Sequence, residues 1–151
     1  MIKNLSGFSL IEILIIIALI GILAGISFPI WRNASCSADL KNDTREIIAQ
    51  LRLAQQNTIT EQVAYLIRFD DLVNKYELIQ NQEIIQAFNL KEDIRFKSIN
   101  IQDETQEIKF TSIGAPFAFG DITLESISSL CQDKTSQIKI TPAGYIYEQS
   151  E

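Results

Sequence analysis

The sequence contains no histidine. Serine–histidine–acid triads, imidazole metal sites and the usual general base near neutral pH are excluded with it. Cysteine occurs only as Cys36 and Cys131, which rules out a zinc ribbon and a disulfide-dense scaffold. Basic side chains are few as well. The 13 Lys and Arg residues face 19 Asp and Glu, for a net charge of −6. An acidic chain has little with which to neutralise phosphates, so general nucleic-acid binding is disfavoured. No internal repeat, basic block or low-complexity tract appears. What is present is a chain of 151 residues, 46% apolar and 21% charged. That is a globular composition with room for about one domain.

The apolar residues are concentrated at one end. Phe8 to Trp31 reads FSLIEILIIIALIGILAGISFPIW, with Glu12 its only charge. From Ile13 to Trp31 there are 19 consecutive uncharged residues, about the length of a bilayer-spanning helix. The chain beyond Trp31 has mixed charge and polar turns. A secretory signal peptide needs a shorter apolar core followed by a small-residue cleavage site. Here Gly21, Ala24, Gly25 and Ser27 lie inside the run, and its flank is Pro29-Ile30-Trp31-Arg32. A plain anchor accounts for the length and gives Glu12 no purpose. A carboxylate within a span costs about 2.5–3.5 kcal/mol on insertion scales and marks function by default. The bland reading of Glu12 is that it snorkels to the interface or is protonated.

The join before the run reads Gly7-Phe8-Ser9-Leu10-Ile11-Glu12, after a short polar MIKNLSG with Lys3 as its one basic residue. This resembles the class III signal of type IV pilins and type II secretion pseudopilins. The resemblance implies cleavage between Gly7 and Phe8 by a prepilin peptidase on the cytoplasmic face, then N-methylation of Phe8. It implies that Glu12, fifth after the cut, meets the terminal amine of a neighbouring subunit. Inside an apolar bundle such a pair is weakly screened, and a lone carboxylate is disfavoured, so subunits stack with a fixed axial offset. Gly21 and Pro29 fall where the family has helix-loosening residues. Pro29 by itself removes one backbone donor and should kink the preceding turn. Small residues also let membrane helices pack closely.

The water-soluble region begins with a helix from Ser35 to about Thr60. Leu40, Thr44, Ile47, Leu51, Ala54 and Thr58 recur at spacings of three and four, and Ile48 widens the stripe. The stripe should pack on a sheet; a partner-binding face is the alternative. No proline separates this helix from the stalk after Pro29, so one long bent helix is expected. Short strands rich in β-formers follow at 63–69, 76–79, 84–90, 94–101, 108–111, 119–124 and 137–141, and 145–147 closes the sheet. A helix first and many strands after it give an α+β class: a long N-terminal transmembrane helix packed through its C-terminal half on an antiparallel sheet. The expected divisions are a leader at 1–7, a transmembrane and filament-core helix at 8–31, and a globular domain at 32–151.

A second resemblance covers the C-terminal half. Phe110-Thr111, Gly114, Phe119-Gly120, Ile122 and Leu124, followed by Ile138-Lys139-Ile140-Thr141-Pro142-Ala143-Gly144, look like the GspH/FimT group of minor pilins and pseudopilins. The resemblance implies a structural subunit of a type IV pilus-like or type II secretion filament, with no enzymatic activity, cofactor or metal. Its partners would be other pilin subunits, the prepilin peptidase and an inner-membrane assembly platform. The chain would be a single-pass protein of the bacterial inner membrane with its C-terminal domain outside the cytoplasm, later part of an extracytoplasmic filament. The alternative is a competence minor pilin that contacts DNA. Family members that do so carry a basic C-terminal tail, whereas this chain ends Gly144-Tyr-Ile-Tyr-Glu-Gln-Ser-Glu151. Lys91, Arg95, Lys97 and Lys109 could assemble a basic patch; the nearby Glu92, Asp93 and Glu107 make a mixed solvated face the expectation.

Cys36 and Cys131 stand 95 residues apart. Outside the cytoplasm a disulfide is permitted, and closing so long a loop stabilises by about 4–5 kcal/mol in the chain-entropy model. Two separate thiols are the alternative. A catalytic thiol lacks a base to activate it. Asp70-Asp71 and Asp103-Glu104 lack the ligand spacing of a calcium loop and read as turn residues.

Overall fold

The computed structural model of the chain describes residues 9–102, 105–128, 131 and 134–149, without the side chains of residues 26–34. It divides into two compact units, Met1–Ser35 and Cys36–Glu151. One α-helix, α1, spans Leu10–Glu61, so helical backbone is assigned through Gly21, Gly25 and Pro29. Within the second unit, α1 buries Leu40, Asp43, Thr44, Ile47, Ile48, Leu51, Ala54 and Thr58. The threonines fit an apolar stripe because each hydroxyl donates back to its own helix, Thr44 to the Leu40 carbonyl at 2.8 Å and Thr58 to that of Ala54 at 2.9 Å. The helix stops at Glu61 because Gln62 turns left-handed, with φ of 57°.

Eight strands follow: β1 (Tyr65–Asp70), β2 (Lys75–Gln80), β3 (Glu83–Asn89), β4 (Ile94–Ile101), β5 (Glu107–Lys109), β6 (Gly120–Ser126), β7 (Thr135–Ile140) and β8 (Ile146–Gln149). They form two four-stranded antiparallel sheets, in the orders β3-β2-β1-β5 and β4-β6-β7-β8, where the sequence reading expects one. The reason is β5. It leaves its sequence neighbours β4 and β6 to pair with each other and returns to the open edge of β1, placing Arg68 opposite Glu107. Both sheets and α1 share one core. Ile67, Phe69 and Ile108 from the first sheet and Ile122, Leu124 and Ile138 from the second meet Ile47 and Leu51 of the helix.

Turn chemistry follows from the residues available. β2 and β3 are joined through Asn81 and Gln82, both at positive φ (51° and 71°), which suits the right-handed twist of a two-residue hairpin. Between β1 and β2, the Asp70 carboxylate accepts the Leu72 and Val73 amides at 3.1 and 3.3 Å, so this acidic pair serves a turn. Gly120 has no alternative. A Cβ there would lie 2.0 Å from the Asn100 carbonyl oxygen on the adjacent strand. Cys36 on α1 and Cys131 in the β6–β7 connection are disulfide-bonded, their Cα atoms 6.3 Å apart.

Candidate assembly surface and processing segment

In the first unit, Glu12 occupies the first turn of α1, where the helix dipole favours an anion, and it is exposed. The turn is closed by the Ser9 carbonyl, which accepts the Glu12 and Ile13 amides at 3.0 and 3.3 Å. The apolar residues around Glu12 are exposed too, Leu10 at 78% and Ile11 at 62% among them. A Cβ added to Gly21 or Gly25 would meet nothing within 4 Å, so no contact within the chain requires either glycine. Among the described residues no helix is long and apolar enough to cross a membrane. The span expected at 8–31 runs into residues 26–34, whose side chains lie outside the described ones, Pro29 included. Gly7 and Phe8 lie outside the described residues as well.

In the second unit, the C-terminal end of α1 gathers the turns that carry the glycine motifs. Two of these turns are the same. Thr111-Ser112-Ile113-Gly114-Ala115 and Thr141-Pro142-Ala143-Gly144-Tyr145 each close with the glycine amide donating to the threonine carbonyl, at 2.8 and 2.9 Å. In each, the fifth residue's amide also donates to the threonine hydroxyl at 3.0 Å. Gly114 and Gly144 take φ of 88° and 85°, open to glycine and costly for a side chain. Gln55 of α1 joins the pair. Its Nε2 donates to the Gly114 carbonyl at 2.6 Å and to that of Gly144 at 3.0 Å. The sequence carries the signal as a short repeat, Ile108-Lys-Phe-Thr-Ser-Ile-Gly114 and Ile138-Lys-Ile-Thr-Pro-Ala-Gly144, which corrects the expectation of no internal repeat.

The candidate basic patch does not assemble. Lys91 binds Asp39 of α1. Arg95 and Lys97 both reach Glu125, at 2.6 and 3.7 Å, and Lys109 lies over the Phe117 ring at 5.5 Å. Glu107, expected beside them, pairs with Arg68 at 2.7 Å instead. The acids that neutralise these cations sit on α1 and on neighbouring strands rather than next to them in sequence, so only the fold reveals them. The hydrogen bond from Asp39 holds the Lys91 ammonium above its ordinary range. Asp43, missed by sequence reasoning, is a buried carboxylate that accepts the Lys91 amide at 3.0 Å. Burial pushes its pKa up, opposed by that bond and by the Lys91 charge. Burial likewise raises the Tyr76 phenol, with Glu46 and Asp43 adding to it. No group of His, Cys, Asp and Glu that could hold a metal occurs among the described residues.

Residues 2–28 match the prokaryotic N-terminal methylation motif. The fold is similar to the type IV minor pilin FimU of Pseudomonas aeruginosa, with a TM-score of 0.60 at 13% identity over 76% of this chain and 90% of that one. It is similar to the minor pseudopilin EpsH of the type 2 secretion system of Vibrio cholerae, with a TM-score of 0.59 at 13% identity over 74% and 97% of the two chains. The fold is that of minor pilins and pseudopilins. At such identity the likeness is one of fold, and no curated protein matches in sequence. In this pilin fold, α1 and the two Thr-x-x-Gly turns are connected directly by Gln55, and the methylation motif lies at the opposite end of the helix.

Proposed function

We propose that the chain is a minor pilin or pseudopilin: a structural subunit, made as a membrane-inserted precursor, cut between Gly7 and Phe8, methylated on Phe8 and incorporated into a type IV pilus-like or secretion pseudopilus filament. The observation that carries the reading is the coincidence of two independent features. A methylation motif covers residues 2–28, and a pilin-like α+β fold follows it. The exposed apolar surface of Leu10–Leu23 supports it, since such a surface needs lipid or other helices to cover it. The exposed Glu12 supplies the register charge toward a neighbouring subunit's amine. The unused space at Gly21 and Gly25 leaves room for close helix packing. The partners in this reading are other pilin subunits, the prepilin peptidase and an inner-membrane assembly platform. Acids or a ring already engage the four candidate cations, which favours a filament role over direct DNA contact.

The test is mass spectrometry of protein from its native host, which should show a chain beginning at methylated Phe8. A mature start beyond the apolar run would identify an ordinary signal peptide and remove the filament reading. Glu12→Val should leave processing intact and strongly reduce incorporation. Assembly of that variant at wild-type levels would remove the register role.

A further inference from the structure

Where β4 and β7 end and β6 begins, a cleft opens in the second sheet. Its walls are apolar: Ile99 and Ile101 of β4, Phe119, and Pro142 of the second Thr-x-x-Gly turn. Asp121 of β6 also lines it. Its Oδ1 is buried and accepts no hydrogen bond among the described residues. Buried carboxylate oxygens normally have partners, because leaving one unmade costs the group its hydration without return. Lys139 stands opposite Asp121 in the β6–β7 register, yet no ion pair joins them. The cleft's other features are fixed before any partner arrives. Gly120 holds β6 against Asn100 with no room for a Cβ, and Gln55 holds the Pro142 turn through Gly144.

We propose that this cleft receives a basic side chain, lysine or arginine, from a neighbouring filament subunit. The chemistry of the site selects that occupant. A long cationic side chain offers an aliphatic stem to Ile99, Ile101 and Phe119 and a charged donor to the unmet Asp121 oxygen. An acidic or purely apolar partner would leave that oxygen unmet. The globular unit that carries the cleft also holds the chain's acidic excess, so approach of a basic surface is favoured at long range. Lys139 beside the site sets a threshold: the incoming cation must displace its influence, which makes the cleft selective for a donor that reaches Oδ1 directly.

The inference rests on the filament reading, and its test separates the two. The full chain, in detergent micelles, is titrated with N-acetyl-arginine amide while backbone amide shifts are followed by NMR. Saturable shifts confined to Phe119, Gly120 and Asp121 are expected. Asp121→Asn should weaken this binding by about tenfold, the scale of one hydrogen bond to a charged group. Lys139→Gln should strengthen it, an opposite sign that a merely structural role for the pair does not produce. In the native host, Asp121→Asn should lower incorporation while processing at Gly7 continues. If Glu12→Val assembles normally, the filament reading falls. If Glu12→Val fails to assemble but Asp121→Asn assembles as wild type, or if the probe gives no localised shifts, the cleft assignment is overturned and the filament reading stands.

Discussion

Replacing Gln55 by alanine would remove the only side chain that joins both Thr-x-x-Gly turns to the helix among the described contacts. The two hydrogen bonds lost, at 2.6 and 3.0 Å, contribute about 0.5–1.5 kcal/mol each, so the variant should lose about 1–3 kcal/mol. For a unit of this size that corresponds to a fall of about 4–12 °C in melting temperature. Gln55→Glu is the sharper perturbation. It keeps the shape and replaces a donor with an anionic acceptor facing two carbonyl oxygens. Such a carboxyl would have its folded pKa raised above its unfolded value. The penalty should therefore be absent below the unfolded value of about 4.3, where the protonated acid can still donate, and grow as pH rises through the folded value. Circular-dichroism melts at pH 3.5 and pH 7, with hydrogen exchange at Gly114 and Gly144, test both points. If Gln55→Ala melts within about 0.5 kcal/mol of wild type with both turns equally protected, the clasp has no energetic role. If Gln55→Glu shows no recovery at low pH, the bonding geometry is wrong.

The oxidised globular unit should melt well above its reduced form, by up to about 4–5 kcal/mol of stability for a loop closed at Cys36 and Cys131. Two titratable thiols per chain in protein isolated from its host would show that the bond does not form there. Asp43→Asn retains an acceptor for the Lys91 amide and removes a buried charge. Because burial raises the folded pKa of Asp43, wild type should lose stability relative to the variant as pH rises from about 3.9 through that folded value; a difference independent of pH would refute this. Duplex DNA should not bind the protein appreciably at physiological salt, since the candidate cations are already engaged; micromolar affinity with a steep negative salt slope in an anisotropy titration would overturn that.

The helix stripe from Leu40 to Thr58 was legible because its three–four spacing persists over several turns and the structure buries each of its members. Asp43 was not, because a carboxylate inside that stripe violates the pattern, and only the Lys91 amide delivered by the β3–β4 connection makes it tolerable. Strand positions came through from alternation and turn residues. Strand partners did not, since the pairing of three-residue β5 with β1 depends on which edge is open in space. The same distinction governs the charges. Neighbours in sequence suggested Glu92 and Asp93 as screens for Lys91 and Arg95, while the fold supplies Asp39 and Glu125. The paired turns were visible as two separate glycine motifs; their kinship lay in the repeated Ile-Lys-x-Thr-x-x-Gly, and their meeting at Gln55 required the tertiary structure.

The covalent link between Cys36 and Cys131 also determines how the molecule responds to being pulled. A chain drawn out by its two ends can lengthen only where no closed loop intervenes. With this bond formed, the segment between positions 36 and 131, a separation of 95 residues, is short-circuited. At about 3.5 Å per extended residue, some 330 Å of contour is withheld from extension. Tension passes from the helix through two sulfur atoms to the β6–β7 connection, and then to β7 and β8. Those two strands are the only ones that end-to-end force can peel away. The rest of both sheets, with Gln55's first turn among them, is mechanically insulated until the bond is reduced.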